Sequence, residues 1–233
     1  MNSPSNPTGA MIDATRLEAI LGVVRAHPQV VVLFDEIYDR IVYPPNVFAT
    51  PLAIAPDLRD RIVVVNGGSK TYAMTGLRIG WALAPASLIG AMSTLQGRST
   101  SNASSVVQQA LKAALLGDQE PVEAMVRTYE RRRDELVAGL RRIEGIRCFL
   151  PKGAFYAFPN VAGCFGKRAP DGSSITSASD LCSFLLAHHD LVLVPGEPFG
   201  SSEHVRLSYA TDDETLARGL ERFARGVASL ASS

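Results

Sequence analysis

Ile62-Val63-Val64-Val65-Asn66-Gly67-Gly68-Ser69-Lys70-Thr71-Tyr72-Ala73-Met74-Thr75-Gly76-Leu77-Arg78 is the stretch on which the fold reading turns. Its first four residues are apolar and β-branched, the pattern of a strand covered on both faces in a mostly parallel sheet. Asn66-Gly67-Gly68 breaks the run, and a lysine and an arginine follow on a turn of small residues. A lysine in a loop is most often a surface residue. Just past the end of a buried strand, however, Lys70 falls at the carboxyl edge, where open α/β sheets bind ligands.

Other segments repeat the pattern. Val30-Val31-Val32-Leu33-Phe34 reads as a fully apolar strand ending in Asp35-Glu36-Ile37-Tyr38, and residues 78–84 read as a third strand. Before them, Asn2-Ser3-Pro4-Ser5-Asn6-Pro7-Thr8-Gly9 is dense in turn formers. Thr15 and Glu18 have capping-box spacing ahead of a helical stripe at Leu17, Ile20, Leu21 and Val24. Residues 86–96 and 104–116 look helical, and a long charged helix follows with Val122, Tyr129, Leu136 and Ile143 in heptad register. Within it, Arg131, Arg132 and Arg133 read as a solvated face. Beyond Gly145, short strand candidates at 146–150, 154–159, 191–194 and 205–209 alternate with helices near 179–188 and 213–230, the last with a second capping box at Thr211 and Glu214. The expected organisation is α/β over 1–120, a linking helix over 121–144, and a smaller α+β region over 145–233.

Composition narrows the function. Basic and acidic residues balance at 23 each, which gives no net field for nucleic acid or an anionic membrane. No apolar run reaches membrane-spanning length. Three widely spaced cysteines suit neither a disulfide framework nor zinc, and the four histidines have no metal-ligand spacing, so no metal is expected. A soluble protein of the reducing cytoplasm is the natural inference.

Asp35, Tyr38 and Lys70 stand at ends of successive apolar strands, with Asn6 before the first helix. A carboxylate, a phenol, an amine and an amide at one sheet edge suit a planar polar cofactor bearing an aldehyde. Asn6-Pro7-Thr8-Gly9, Asp35-Glu36-Ile37-Tyr38, Ser69-Lys70 with Arg78, and Arg206-Leu207-Ser208-Tyr209, in this order and spacing, resemble the class I aminotransferases that use pyridoxal 5'-phosphate. Gly153-Ala154-Phe155-Tyr156-Ala157-Phe158-Pro159 points more narrowly to the bacterial aspartate/prephenate branch.

The resemblance implies a type I pyridoxal-phosphate-transferase fold: part of a large domain with a mostly parallel sheet between helices, then a small α+β domain. It also implies the roles. Lys70 would hold the cofactor covalently and serve as the catalytic base. Asp35 would face the ring nitrogen, Tyr38 and Asn6 the ring oxygen, and Ser69 and Arg78 the phosphate. Arg206, with Asn6, would clamp the substrate carboxylate. Gly67 stands where some relatives place a phosphate-binding hydroxyl, and Phe155 and Tyr156 read as core.

The implied activity moves an amino group between an L-amino acid, aspartate-like, and a 2-oxo acid, in a homodimer. Alternatives are a non-catalytic fragment and a pyridoxal-phosphate lyase or decarboxylase. Family members carry a long segment ahead of the asparagine-proline motif. The chain is therefore expected to be the carboxyl-terminal part of an aminotransferase, with an unpaired sheet edge and weak cofactor binding.

Overall fold

The computed structural model describes residues 1–231 and divides into two compact units. The first comprises Met1–Ser5 and Ala10–Val126, and the second Asn6–Gly9 and the described residues from Arg127 onward.

In the first unit, α1 (Ala14–Ala26) begins at Asp13, whose carboxylate accepts the Arg16 N–H at 2.8 Å. The cap is thus Asp13 and not Thr15: a short carboxylate just ahead of the helix meets the orphan amide directly, which leaves Thr15 inside the first turn. Leu17, Leu21 and Val24 form the buried stripe, as the spacing predicts. Next come β1 (Val32–Asp35), the short helix α2 (Pro51–Ile54), β2 (Ile62–Gly67), the single turn α3 (Gly68–Thr71), β3 (Gly80–Leu83), α4 (Ala86–Ser99) and α5 (Ser105–Leu116).

The sheet order is β1-β2-β3. β1 runs parallel to β2, with Val32 opposite Ile62 and Asp35 opposite Val65. β3 runs antiparallel, with Gly67 opposite Gly80. The outer edge of β1 is engaged by the first residues: Met1 O accepts the Asp35 N–H at 2.8 Å, and Ser3 N–H donates to Asp35 O at 3.3 Å. That edge is therefore partly paired.

Ile62, Val63 and Val64 are all buried, so β2 is covered on both faces as its sequence indicates. β1 differs. Val32 and Phe34 face a core with Leu17, Leu21, Val24 and Leu58, but Leu33 is 56% exposed. Its continuous apolar run does not correspond to burial on both faces, because α1 and α2 cover only the Val32/Phe34 side. α5 buries only Leu111, and a groove of about 710 Å³ lined by Ile79, Leu111, Leu115 and Leu116 lies along it.

The helix α6 (Glu120–Leu140) runs through the division between the units. Its arginine run is not uniformly solvated. Arg131 and Arg132 pair with Asp213 at the surface, whereas Arg133 is 6% exposed, pairs with Glu130 and Asp134, and donates to Pro151 O at 3.2 Å. A buried guanidinium is tolerated because two carboxylates and a carbonyl meet it.

The remainder of the second unit holds β4 (Tyr156–Ala157), α7 (Ala178–His189), β5 (Val194–Pro195), β6 (Val205–Ser208) and α8 (Asp213–Ala228). The sheet order is β4-β6-β5, with both pairings antiparallel. The strand expected at 146–150 is reduced to one bridge between Arg147 and Asn160. At α8 the cap is Asp212, which accepts the Thr215 N–H at 2.8 Å, so the Thr211 frame is one residue early. Phe223 and Val227 are buried beneath it. No described helix is long and apolar enough to cross a membrane, and no metal-ligand cluster occurs among the described residues.

Phe34 is fully buried at the centre of the first core. Phe34→Ala is expected to cost about 3–5 kcal/mol, read as a lower urea midpoint for that unit. A loss under 1 kcal/mol would mean that α1 and β1 do not share one core.

Candidate active site

The parallel pairing determines which polar groups meet at one edge of the first unit. β1 and β2 end side by side, and β3 begins where β2 ends. Asp35 at the end of β1, Ser69 and Lys70 in the turn after β2, and Arg78 just before β3 therefore share the carboxyl edge of the parallel pair.

Asp35 Oδ1 accepts the Ile37 N–H at 2.9 Å, an Asx turn that fixes the carboxylate and redirects the chain. This delivers Tyr38 into the interior, 3% exposed. Asp39 then ties the segment across the edge. Its carboxylate accepts Asn66 Nδ2 at 3.0 Å and Thr71 Oγ1 at 3.3 Å, so it bonds to residues on both sides of Ser69-Lys70. Nothing in its sequence context marks Asp39, because these partners lie 27 and 32 residues away.

Lys70 is the third residue of α3 and is half-buried, as is Ser69. The glycines before it are there for space. A Cβ at Gly67 would lie 2.8 Å from Ile79 O, and one at Gly68 would lie 3.0 Å from Leu111 Cδ1. Any hydroxyl-bearing residue at 67 would collide with the β3 backbone, which accounts for the glycine.

Arg78 lies outside the strand in which the sequence reading put it. It closes the 3₁₀ turn Thr75–Leu77 with φ +53°, is exposed, and donates to Thr75 O at 2.9 Å. The left-handed residue turns the chain before β3 begins at Gly80.

Two acids beside this edge have raised pKa values. Burial pushes up Glu36, partly offset by the Thr50 hydroxyl it accepts, and burial pushes up Asp39, partly offset by Asn66.

In the second unit, Arg206 on β6 donates from Nη1 to Asn6 Oδ1 at 3.0 Å, across 200 residues of sequence. Asn6 is held because Gly9 O accepts the Lys152 and Gly153 N–H groups, and Gly9, at φ +66°, packs where a Cβ would come within 2.5 Å of Pro151 Cβ. The same Pro151 carbonyl receives Arg133. The rings of Tyr156 and Phe199 lie 4.9 and 5.0 Å from the Arg206 guanidinium carbon. Tyr156, read from sequence as core, is buried and also touches this arginine. Phe199 carries no sequence signal, since only the sheet and the 3₁₀ turn Glu197–Phe199 bring it there.

A parallel strand pair with a carboxylate and an amine at its shared edge and a buried phenol just beyond defines an α/β protein. The chain matches the family described as Aminotransferase class I and II over residues 1–223, and it belongs to that family.

It is 45% identical over 224 residues to an aspartate aminotransferase from Rhizobium meliloti strain 1021, covering 96% of this chain and 55% of that protein. An aspartate/prephenate aminotransferase from Cereibacter sphaeroides is 43% identical over 221 residues, covering 95% of this chain and 55% of that protein. The crystal structure of the Rhizobium meliloti aspartate aminotransferase superposes with a TM-score of 0.96 at 43% identity, covering 99% of this chain and 58% of that one. The chain thus spans just over half the length of the relatives it matches. The fold is that of the type I pyridoxal-phosphate aminotransferases. The donor set at the first sheet's edge suits that cofactor: acid for a ring nitrogen, phenol for a ring oxygen, and amine for an aldehyde.

The buried Glu36 has a pH consequence. Its pKa is raised above the ordinary 4.5. As pH rises past that value the unfolded chain gives up the proton first, so stability falls until the folded carboxyl also ionises. Glu36→Gln is therefore expected to gain stability relative to the wild type between pH 5 and pH 8, measured by urea unfolding at each pH. An equal difference at both would contradict the burial effect.

Proposed function

We propose that this chain provides the cofactor-binding lysine and the substrate-carboxylate arginine of a pyridoxal-phosphate-dependent aminotransferase. That enzyme moves an amino group between an L-amino acid, aspartate-like, and a 2-oxo acid, and works as a homodimer. The observation that carries the reading is the convergence of Asp35 and Lys70 at the shared edge of two parallel strands. The names of the relatives support the reaction class.

Pyridoxal phosphate, when bound, supplies an aldehyde and an electron-withdrawing ring. Asp35 would keep a proton on the ring nitrogen, a task for a carboxylate fixed in place by the Ile37 N–H. Tyr38 would donate to the ring oxygen, and Asn6 would share that acceptor. Ser69 and Arg78 would hold the phosphate. For Arg78 this means turning from Thr75 O, which an exposed side chain can do cheaply. Lys70 would attach the cofactor and, as a free amine, carry a proton to and from the substrate α-carbon. Arg206, with Nη1 already bonded to Asn6, would present its remaining N–H donors to the substrate carboxylate.

Incubation of the protein with excess pyridoxal phosphate followed by borohydride reduction is expected to label Lys70, located by peptide mass, with no label in Lys70→Ala. Asp35→Asn is expected to retain the label yet lower amino transfer from L-aspartate to 2-oxoglutarate at least about 100-fold. Label on other lysines alone would remove Lys70 from the reading. Unreduced protein loaded with pyridoxal phosphate that releases carbon dioxide or ammonia without forming the new amino acid would favour the lyase or decarboxylase alternative.

A further inference from the structure

In the second unit, Arg206 combines a side-chain acceptor with two aromatic rings in its cation–π contacts. The guanidinium is planar, and both its hydrogen bonds and its affinity for ring faces depend on how that plane is turned. Asn6 Oδ1 accepts from Nη1, and a hydrogen bond at one corner of the guanidinium leaves rotation about the terminal torsion open.

The two rings close that freedom, and each is itself buttressed. Tyr156 leans on Phe155 at 4.8 Å, which meets Tyr129 at 5.5 Å. Phe199 meets the edge of Phe158 at 6.2 Å and 89°, and Phe158 stacks on His204 at 4.9 Å and 13°. His204 Nδ1 is in turn 2.7 Å from Ser201 Oγ.

The backbone under Phe199 is equally constrained. Gly196 O accepts the Phe199 N–H at 2.8 Å and the Ser201 N–H at 3.1 Å, and Gly200 closes the turn at φ +81°. A Cβ at Gly196 would fall 2.3 Å from Ser201 O, so the turn admits no larger residue there. Phe199 is nevertheless 37% exposed. A large ring held by a tight turn and a stack of rings, with much of its surface in water, contributes little to the core. Besides the Phe158 edge, what it touches is the arginine.

We propose that Phe199 is a positioning residue whose ring, with that of Tyr156, holds the Arg206 guanidinium in the plane that donates to Asn6 and turns its remaining N–H edge toward a substrate carboxylate. The inference rests on the reading of Arg206 as the carboxylate group. Phe199 acts through the arginine and needs no contact with the reacting atoms.

The test uses the full chain and needs no cofactor. The Arg206 Nε–Hε resonance, assigned by its loss in Arg206→Lys, carries the ring-current imprint of the two rings and reports the clamp directly. Succinate titrated against that resonance reports carboxylate binding. Phe199→Leu is expected to move the free-state resonance and weaken succinate about five-fold, the range of a partly exposed cation–π contact. Phe199→Tyr, which keeps the ring, is expected to restore the resonance and hold affinity within about two-fold. An unmoved resonance in Phe199→Leu overturns the clamp. A moved resonance with unchanged succinate affinity overturns its role in carboxylate binding. Absence of any succinate response in the wild type overturns the carboxylate role of Arg206 itself. The ligand-free resonance separates that failure from a failure of the clamp.

Discussion

The backbone pairing of Val32–Asp35 with Ile62–Val65 is the constraint from which the chemistry of the first unit follows. Parallel strands finish at the same edge, so the residue that ends one and the turn that follows the other are brought together regardless of the chain between them. Here that chain includes α2 and a long loop, yet Asp35 and Lys70 emerge at the same edge. β3, running the opposite way, contributes the turn ahead of its start and so adds Arg78 to the same edge. The glycines at 67 and 68 follow from this closeness: with Ile79 O and Leu111 Cδ1 so near, a side chain would push β3 and α5 away.

The second unit solves a different problem, holding a flexible cation still. Arg206 is attached to a strand, but a strand positions only its backbone. The side chain is fixed by Asn6, Tyr156 and Phe199, three residues from widely separated parts of the sequence. Asn6 itself depends on the Gly9 packing against Pro151, and Pro151 on the buried Arg133. A run of three arginines thus includes one whose burial supports the loop that carries Asn6. Its neighbours, paired with Asp213 at the surface, contribute little by comparison.

Acids on the loop after β1 add a further layer at this edge. Asp39 joins the end of β2 to the residue after Lys70 through two side-chain hydrogen bonds. Glu36 is satisfied by Thr50 and held toward its neutral form by burial. Polar groups buried with partners restrict the alternatives open to a loop, and the loop after β1 contains both.

The sequence by itself determined the long helices, the buried β2 strand, the strand-end placement of Asp35 and Lys70, and the family resemblance, because these rest on local periodicity and on motifs a few residues long. Helix caps were misread by a residue or two, since both frames with threonine in the cap position lie close to an aspartate that reaches the amide more directly. One-sided burial of β1, the left-handed turn at Arg78, the burial of Arg133, and the gathering of Asp39, Tyr156 and Phe199 around the candidate groups were decided by tertiary structure alone. Each depends on what another segment, tens to hundreds of residues away, covers or leaves open, and no local pattern encodes that.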